Sequence, residues 1–265
     1  MRLLLLLLSR EEETMTLLLG SLFMLASTTP KTQTQIQVCV SPGCKADGAV
    51  EALDKLKALC PPSVLVEPGK CESLCGKGPI LVRNPDTKKQ LLKYMKDDKL
   101  VKFVNELLTE DSADAEVPSS LVEGYELVRQ GLEAIQKRRN NNHAEAIPLL
   151  RQGIDVATES AKAYGADLGW MAKAHCALAE CLLAVRQKDE ALEAIQTALV
   201  LSPEDGHAYD VLSQVCQAQK DNEGEYRALK ALFDLPEDPN PPRAIANRRR
   251  ELGFRFASLQ RKIES

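Results

Sequence analysis

Residues 172–205 read AKAHCALAECLLAVRQKDEALEAIQTALVLSPED, and this stretch decides the fold of the larger part of the chain. Small and apolar residues recur in it at intervals of three and four, which is the spacing of one helix face. They form two groups on either side of a polar segment: Leu178, Ala179 and Leu182, then Ala191, Ile195 and Ala198. Because proline cannot continue a helix, the sequence predicts two helices that pack as a hairpin and end before Pro203.

The same pattern occurs on both sides of this stretch. The preceding unit matches the pattern if residues 140–142 are counted as an insertion between its two helices. The following unit starts at Gly206 and ends before Pro236. The pattern residues are Leu127, Gly131, Ala134, Ala146, Leu150 and Gly153 in the former, and Tyr209, Leu212, Cys216, Tyr226, Leu229 and Phe233 in the latter. A unit of 34 residues with these features resembles the tetratricopeptide repeat (TPR) family. The resemblance implies an all-α TPR solenoid over residues 119–265, with a groove that binds a peptide or another protein.

One more helix is predicted after the proline-rich segment 239–242. Its apolar face is formed by Ile245, Leu252, Phe256, Leu259 and Ile263. An amphipathic helix at this place fits the C-terminal capping helix that the end of a solenoid requires. The opposite face holds Arg248, Arg249 and Arg250, which we interpret either as a solvated face or as a docking patch for an anionic partner.

Composition excludes several classes of function. The 265 residues include 34 Lys and Arg against 38 Asp and Glu, a net charge of −4, so a nucleic-acid partner is not expected. Aromatic residues make up only 4% of the chain, which suits stacked helices better than a β-sandwich. The sequence has no Ser/His/Asp set, paired carboxylate motif or phosphate-binding glycine loop, so nothing in it predicts an enzyme that acts on its own.

Charge also divides the chain into parts. Residues 36–110 carry 12 basic and 10 acidic residues, whereas residues 111–265 carry 19 and 25. The composition changes across the polar segment 109–118, which is predicted to be a linker. The sequence therefore predicts a first domain over residues 36–108 and a helical domain over residues 119–265.

The first 35 residues contain two apolar runs, at 3–8 and 16–26. The second run is shorter than the roughly 20 residues that cross a bilayer, but it has the length of a signal-peptide core. We interpret residues 1–35 as a targeting leader, with a disordered leader as the alternative. An organelle, in the first place the plastid, is the expected location, and the cytoplasm is the alternative. Membrane contact is expected only through this segment.

Between residues 36 and 108 the patterns alternate between strand and helix. Alternating or continuous apolar residues predict strands at 36–40, 64–66, 80–83 and 90–94. A spacing of three predicts a helix over 49–59, and a second helix runs from Asp97 or Asp98 to Leu108. The order β-α-β-β-β-α predicts a small α+β domain.

Four of the eight cysteines form two pairs in glycine- and proline-rich loops of this domain. The pairs are Cys39-x4-Cys44 and Cys71-x3-Cys75. Four thiolates from two loops can hold a tetrahedral metal ion or an iron–sulfur cluster. Zinc knuckles and thioredoxin-type redox motifs usually have C-x2-C, which disfavours both here. The spacing alone nevertheless does not decide whether these cysteines bind an iron–sulfur cluster, bind zinc or remain metal-free thiols.

Residues 36–108 resemble the thioredoxin-like [2Fe-2S] ferredoxins. The match is carried by Val38-Cys39 at the end of the first strand, by Cys44, and by GKCESLCGKGP at residues 69–79. The resemblance implies a thioredoxin-like ferredoxin domain in which Cys39, Cys44, Cys71 and Cys75 ligate a [2Fe-2S] cluster, two cysteines for each iron.

Three of the other cysteines, two of the three histidines and the tryptophan are interpreted as packing or capping residues, since free cysteine in particular is usually buried. They are Cys60, Cys176, Cys181, Trp170, His175 and His207. Some TPR proteins clamp the terminal carboxylate of heat-shock chaperones with Lys and Asn. Val128, Leu132 and Asp210 stand at the corresponding positions, so this ligand is not predicted.

Together these patterns predict an iron–sulfur protein with a TPR scaffold, acting as a redox adaptor or as an assembly factor for a partner. The scaffold would raise the local concentration of the cluster at that partner. The net charge of +2 over residues 36–110 disfavours a freely diffusing carrier, because shuttle ferredoxins usually dock through acidic surfaces. Two alternatives stay open: an electron-relay subunit of a multi-chain oxidoreductase, and a non-redox interaction protein whose cysteines hold zinc.

Overall fold

The computed structural model describes residues 34–84, 89–111, 116–136, 142–236 and 241–264. All but the last two residues of the interpreted leader lie outside these ranges, as do residues 140 and 141 of the predicted insertion. Within the ranges the chain is mostly helical, with a small sheet near its start. None of the helices in these ranges is long and apolar enough to cross a membrane.

The sheet has four strands: β1 (Thr34–Cys39), β2 (Val64–Gly69), β3 (Leu81–Arg83) and β4 (Gln90–Leu92). They lie in the order β2-β1-β3-β4, with β1 parallel to β2 and β3 antiparallel to both of its neighbours. Helix α2 (Ala49–Leu59) makes the crossover that the parallel pair needs, and α3 (Asp98–Asp111) follows the sheet. The predicted order of strands and helices is confirmed.

Several elements of this domain differ from the prediction, and among them β2, predicted at 64–66, continues to Gly69. The loop after β1 contains a one-turn helix, α1 (Pro42–Ala46), because proline is well suited to the first position of a helix, where its missing N–H is not needed. Strand β4 ends at Leu92 instead of Tyr94, since Tyr94 has a φ of 57°, which lies outside the strand region.

The predicted linker is shorter than residues 109–118. Helix α3 continues to Asp111, and at the far end of the segment Val117 is only 7% exposed. The backbone N–H of Val117 donates to Asn105 Oδ1 over 2.9 Å. The chain therefore leaves α3 and enters the helical half in contact with α3.

The helical half consists, within the described ranges, of three hairpins and a final helix. They are α4 (Ser119–Gln136) with α5 (His143–Tyr164), α6 (Gly169–Ala184) with α7 (Lys188–Leu201), α8 (Gly206–Gln219) with α9 (Asn222–Asp234), and α10 (Arg243–Glu264). The two helices of each hairpin pack on each other, and the second helix also packs on the first helix of the next hairpin. This is the stacked arrangement expected of a helical repeat.

In the first hairpin a pair of glycines, one on each helix, lies at the contact between α4 and α5. A Cβ on Gly124 would lie 2.6 Å from the carbonyl oxygen of Gly153 and 2.6 Å from Ala157 Cβ. A Cβ on Gly153 would lie 2.7 Å from the carbonyl oxygen of Gly124. The backbones of α4 and α5 thus touch directly, an approach that any side chain at these two positions would prevent.

The final helix α10 is fixed to the third hairpin by two ion pairs. Arg255 donates to Glu225 on α9 over 2.5 and 2.8 Å, and Arg248 donates to Asp210 on α8 over 2.8 Å from two nitrogens. The Glu225 side chain is 3% exposed and that of Asp210 12%. The Arg248 side chain is 44% exposed, as the interpretation of the arginine run as a solvated face predicts, and it also neutralises the buried carboxylate of Asp210.

Candidate functional site

The four predicted ligand cysteines lie at one edge of the sheet. Strand β1 ends at Cys39, which is paired in register with Gly69 at the end of the parallel strand β2. Because the carboxyl ends of parallel neighbours meet at the same edge, the loops that follow them, residues 40–48 and 70–80, lie side by side. We call these two loops with their four cysteines the cysteine edge.

The inner side of the cysteine edge is formed by Cys39 and Cys44, which are 1% and 2% exposed. The Cys39 Sγ lies 3.3 Å from Ser41 Oγ. Burial raises the pKa of this thiol, but hydrogen bonds with Ser41, Cys44 and the backbone of Glu72 outweigh burial, so the pKa lies below its ordinary value. Donors from both loops thus favour the thiolate, which is the form that binds metals.

The outer side is formed by Cys71 and Cys75, which are both exposed. A Cβ on Gly43 would lie 3.7 Å from both Cβ and Sγ of Cys75, so the two loops are in contact there. Burial raises the pKa of the Cys44 thiol, and the hydrogen bond with Cys39 and the charge of Cys75 raise it further. The structure therefore brings Cys39, Cys44 and Cys75 together. Cys71 precedes Glu72, whose backbone interacts with Cys39.

In the part of the chain that the structure describes, no three Cys, His, Asp or Glu side chains surround one point as ligands of a single ion would. A tetrahedral zinc ion needs four ligands within about 2.3 Å of one centre. A dinuclear cluster is held differently, because its four thiolates are shared between two irons. The cysteine edge has the four thiols and the two-loop division that such a cluster uses, but only Cys39, Cys44 and Cys75 are near one another in the structure.

Asp47 fastens the two loops to each other, and the sequence analysis did not identify it. The backbone N–H of Gly78 donates to Asp47 Oδ2 over 3.2 Å, and a Cβ on Gly78 would lie 2.8 Å from the same oxygen. Asp47 thereby holds the segment after Cys75 against the end of α1. The only signal in the sequence is the dipeptide Asp47-Gly48, which predicts a turn and says nothing about a contact 31 residues away.

The sheet domain packs directly on the helical half through α2, which contacts α4 and α6. Lys55 Nζ on α2 lies 2.5 Å from Glu126 Oε1 on α4, and the Lys55 side chain is 8% exposed. The Tyr164 hydroxyl at the end of α5 donates to the carbonyl oxygen of Leu59 over 3.1 Å. One cluster of buried apolar residues extends from the sheet into α8. The two halves therefore share one core.

This packing changes the expectation for the TPR groove. A groove of this type is lined by the first helix of each hairpin, here α4, α6 and α8. Helix α2 of the same chain lies on α4 and α6, where Asp54 is also 3.9 Å from Lys173. Part of the predicted partner face is thus covered by the sheet domain, and the face continues on α8.

The cysteines predicted as core residues are buried, at 4% exposure for Cys60, 2% for Cys176 and 0% for Cys181. His207 begins α8 and lies 3.1 Å from Glu180 on α6. Hydrogen bonds with Cys176 and Glu180 raise the pKa of His207 to about 11. The prediction that His207 is a packing or capping residue is wrong for its side chain, which is 60% exposed and lies between two hairpins beside Glu180.

Trp170 and His175 are also packing residues of α6. The Trp170 ring meets Tyr125 of α4 edge to face, with ring centroids 5.6 Å apart. Burial lowers the pKa of His175. Both side chains thus belong to the packing between the first two hairpins.

No family model matches the chain, and no curated protein matches it. Among solved structures it is similar to the first TPR of Spaghetti (RPAP3) bound to an HSP90 peptide, with 14% identity, a TM-score of 0.41, and coverage of 54% of this chain and 94% of that one. It is also similar to the first TPR domain of human RPAP3, with 16% identity, a TM-score of 0.39, and coverage of 52% of this chain and 96% of that one. For MamA the identity is 17%, the TM-score is 0.37, and the coverage is 63% of this chain and 88% of that one. Because these TM-scores are below 0.5, the helix packing within this chain remains the evidence for its repeat architecture.

Proposed function

We propose that this chain is a [2Fe-2S] cluster-binding adaptor, in which the helical half holds the cluster domain and docks it on a partner protein. The observation that supports this function is the cysteine edge. Two adjacent loops each contribute a cysteine pair, and donors from both loops surround the Cys39 sulfur. We assign the sheet domain to the thioredoxin-like ferredoxins on the same ground.

Cys39, Cys44, Cys71 and Cys75 would hold the cluster. When bound, it supplies one-electron transfer. The chain's own residues contribute the surroundings: Ser41 donates toward the inner sulfur, and Asp47 keeps the two loops together. Glycines in both loops allow backbone amides to approach sulfur closely, since no Cβ stands in the way.

The protein-interaction part of the proposal rests on the stacked hairpins. Helix α2 already covers α4 and α6, so we propose that the partner docks on the array beyond α2, at α8 and the helices that follow it. An electron-relay subunit would have the same cysteine edge and would differ only in the identity of the partner. The zinc alternative differs in the metal, which can be measured directly.

The metal is tested by purifying the full chain without oxygen and recording visible absorption and EPR spectra before and after dithionite. We expect a coloured protein that contains iron and acid-labile sulfide in equal amounts and gives an EPR signal only when reduced. A colourless protein with one zinc per chain would contradict the proposed function and support the zinc alternative.

The ligand assignment is tested with matched cysteine variants. Cys75→Ser is expected to abolish the spectrum, because it removes one of four ligands. Cys60→Ser is the control within the same domain, since Cys60 is 4% exposed and burial raises its pKa to about 12, so it does not ionise readily. Loss of the spectrum in Cys60→Ser while the protein stays folded would show that the ligand set is wrong.

The docking face is tested with a photo-crosslinking residue at either of two positions of the full chain. At Lys173, beside Asp54 of α2, the expected product is an internal crosslink to the sheet domain. At Gln217, which is exposed on α8, the expected product contains a second protein. Capture of a partner from position 173 instead would show that α2 leaves the face free.

A further inference from the structure

The cysteine edge carries a group of exposed lysines. Lys45 directly follows Cys44, Lys70 directly precedes Cys71, and Lys77 is two residues after Cys75. The backbone N–H of Tyr94 donates to the carbonyl oxygen of Lys77 over 3.0 Å, which brings the segment 93–96 to the same place. We call the five exposed lysines of this region the lysine rim: Lys45, Lys70, Lys77, Lys93 and Lys96.

The charges of the lysine rim are not neutralised within the protein. In the described ranges no carboxylate forms an ion pair with any of its five ammonium groups. Among the acidic residues of the same region, Glu72 lies 2.6 Å from Lys89, whereas Asp47 accepts only from the neutral backbone N–H of Gly78 and keeps its negative charge. Asp97 and Asp98 line one cavity with Lys96, so their charges also lie in this region. Five lysines against the three aspartates Asp47, Asp97 and Asp98 leave a net positive charge around the two exposed cysteines.

The rim also offers room and an apolar contact. A cavity of about 570 Å³ opens between the glycine loop after Cys75 and the start of α3, and its lining includes Tyr94, Lys96 and Lys99 together with the carboxylates of Asp47, Asp97 and Asp98. The Tyr94 side chain is a large apolar group at 51% exposure. An exposed aromatic ring within a charged rim is the combination that protein interfaces use as an anchor and a polar border.

We propose that the lysine rim docks a small acidic electron-carrier protein, which is oriented so that its redox centre faces Cys71 and Cys75. This inference rests on the proposed function and names the class of its partner. Opposite charges on the two proteins would speed their encounter and make it dependent on salt. A protein is favoured over nucleic acid because the chain as a whole has a net charge of −4, which would repel a polyanion from the surroundings of the rim.

The test measures binding of the full chain to one probe, a soluble plant-type [2Fe-2S] ferredoxin of strongly negative charge, by titration calorimetry. The triple variant Lys45→Glu, Lys70→Glu, Lys77→Glu reverses three charges of the rim. The matched control reverses three exposed lysines elsewhere, Lys57, Lys162 and Lys230, and so changes the net charge equally. At low salt we expect the rim variant to bind at least about tenfold more weakly and the control within about twofold of the unchanged protein.

Several results would overturn the inference. They are equal binding by both triple variants, binding of the unchanged protein that does not weaken as salt is raised, and tighter lysine-dependent binding to phosphatidylglycerol vesicles or to single-stranded DNA than to the ferredoxin. The outcome is independent of the metal analysis. If no cluster forms but the ferredoxin still binds through the rim, the proposed cofactor fails and the docking surface stands. If the cluster forms and the rim variant binds normally, only the docking inference fails.

Discussion

The two halves of this chain use cysteine differently, because only the sheet domain has exposed cysteines, beside the buried Cys39, Cys44 and Cys60. In the sheet domain, Cys71 and Cys75 are exposed in loops that contain glycine and proline. In the helical half the cysteines are 0–5% exposed between helices: Cys176, Cys181 and Cys216. Burial raises the pKa of the Cys181 thiol to about 11, which keeps it protonated and unreactive. The backbone around a cysteine thus decides whether its sulfur is a candidate ligand or a small core residue.

The halves also differ in what holds them together. The helical half is held together by close backbone contact between helices, as at Gly124, and by ion pairs to buried carboxylates, as at Glu225. The sheet domain has two strands of only three residues, and much of its remaining chain is in the two loops of the cysteine edge. We therefore expect the sheet domain to depend on a bound group and the helical half to depend on packing.

If the proposed cluster is bound, its removal by a chelator is expected to have the largest effect, and only in the sheet domain. A cluster held by both loops acts as a crosslink, and a crosslink of this kind contributes about 2–4 kcal/mol. Hydrogen exchange should accelerate in residues 34–48 and 64–84 and stay unchanged in helices α6 to α9. Equal exchange with and without metal would contradict this difference between the halves.

Replacement of Arg255 by Met is expected to lower the free energy of unfolding by about 3 kcal/mol, because it leaves the buried Glu225 carboxylate without its partner. Arg250→Met is the control on the same helix, since Arg250 is exposed, and it should change stability by less than about 0.5 kcal/mol. Both are measured by denaturant unfolding. The double variant Arg255→Met, Glu225→Met should recover most of the loss; if it does not, the cost arises from packing instead of charge.

Gly124→Ala tests the backbone contact between α4 and α5. The new Cβ would lie 2.6 Å from the Gly153 carbonyl oxygen, so we expect a loss of about 1–3 kcal/mol. Gly253→Ala on α10 is the matched control, because its Cβ would meet nothing closer than 3.8 Å. There alanine should stabilise the helix by about 0.5–1 kcal/mol. Changes of the same sign in the two variants would argue against the close contact.

Lys55→Met tests the contact between the halves themselves. Glu126 keeps its interaction with Arg129 but loses the buried ammonium of Lys55, so the expected loss is about 1–2 kcal/mol. Lys57→Met, at an exposed position of the same helix, should leave stability unchanged. Faster hydrogen exchange in α2 with Lys55→Met, and not with Lys57→Met, would locate the loss at this interface.

The smallest effect concerns pH and the link between the second and third hairpins. In the folded protein the pKa of His207 is raised to about 11, whereas in the unfolded chain it is near 6.5. The contribution of His207 to the free energy of unfolding is therefore complete below pH 6.5 and declines as the pH rises toward the folded pKa. Since the side chain is 60% exposed, we expect less than about 1 kcal/mol. His207→Gln should flatten the fall in stability between pH 6.5 and 9 in unfolding curves. An unchanged slope would show that His207 does not couple the hairpins.

The sequence predicted the local elements well and the contacts between distant elements poorly. Helix α2 has the predicted bounds, because its apolar spacing is regular and Gly48 and Pro61 mark its ends. The four cysteines could be grouped by their loops. Asp47 and the ion pair of Lys55 with Glu126 could not be found, since periodicity shows which face of a helix is buried and not which element covers it.

The shared core of the two halves has a consequence for how the protein can be divided. The halves meet through a buried ion pair, the Tyr164 to Leu59 hydrogen bond and a continuous apolar cluster, so we expect them to stay together when the peptide link is cut. Two separate polypeptides, cut between α3 and α4, should therefore reassemble when they are expressed together. Reassembly of the sheet domain, with its cysteine edge, on a helical half that is supplied as a separate polypeptide would then serve as a complementation assay for the whole molecule.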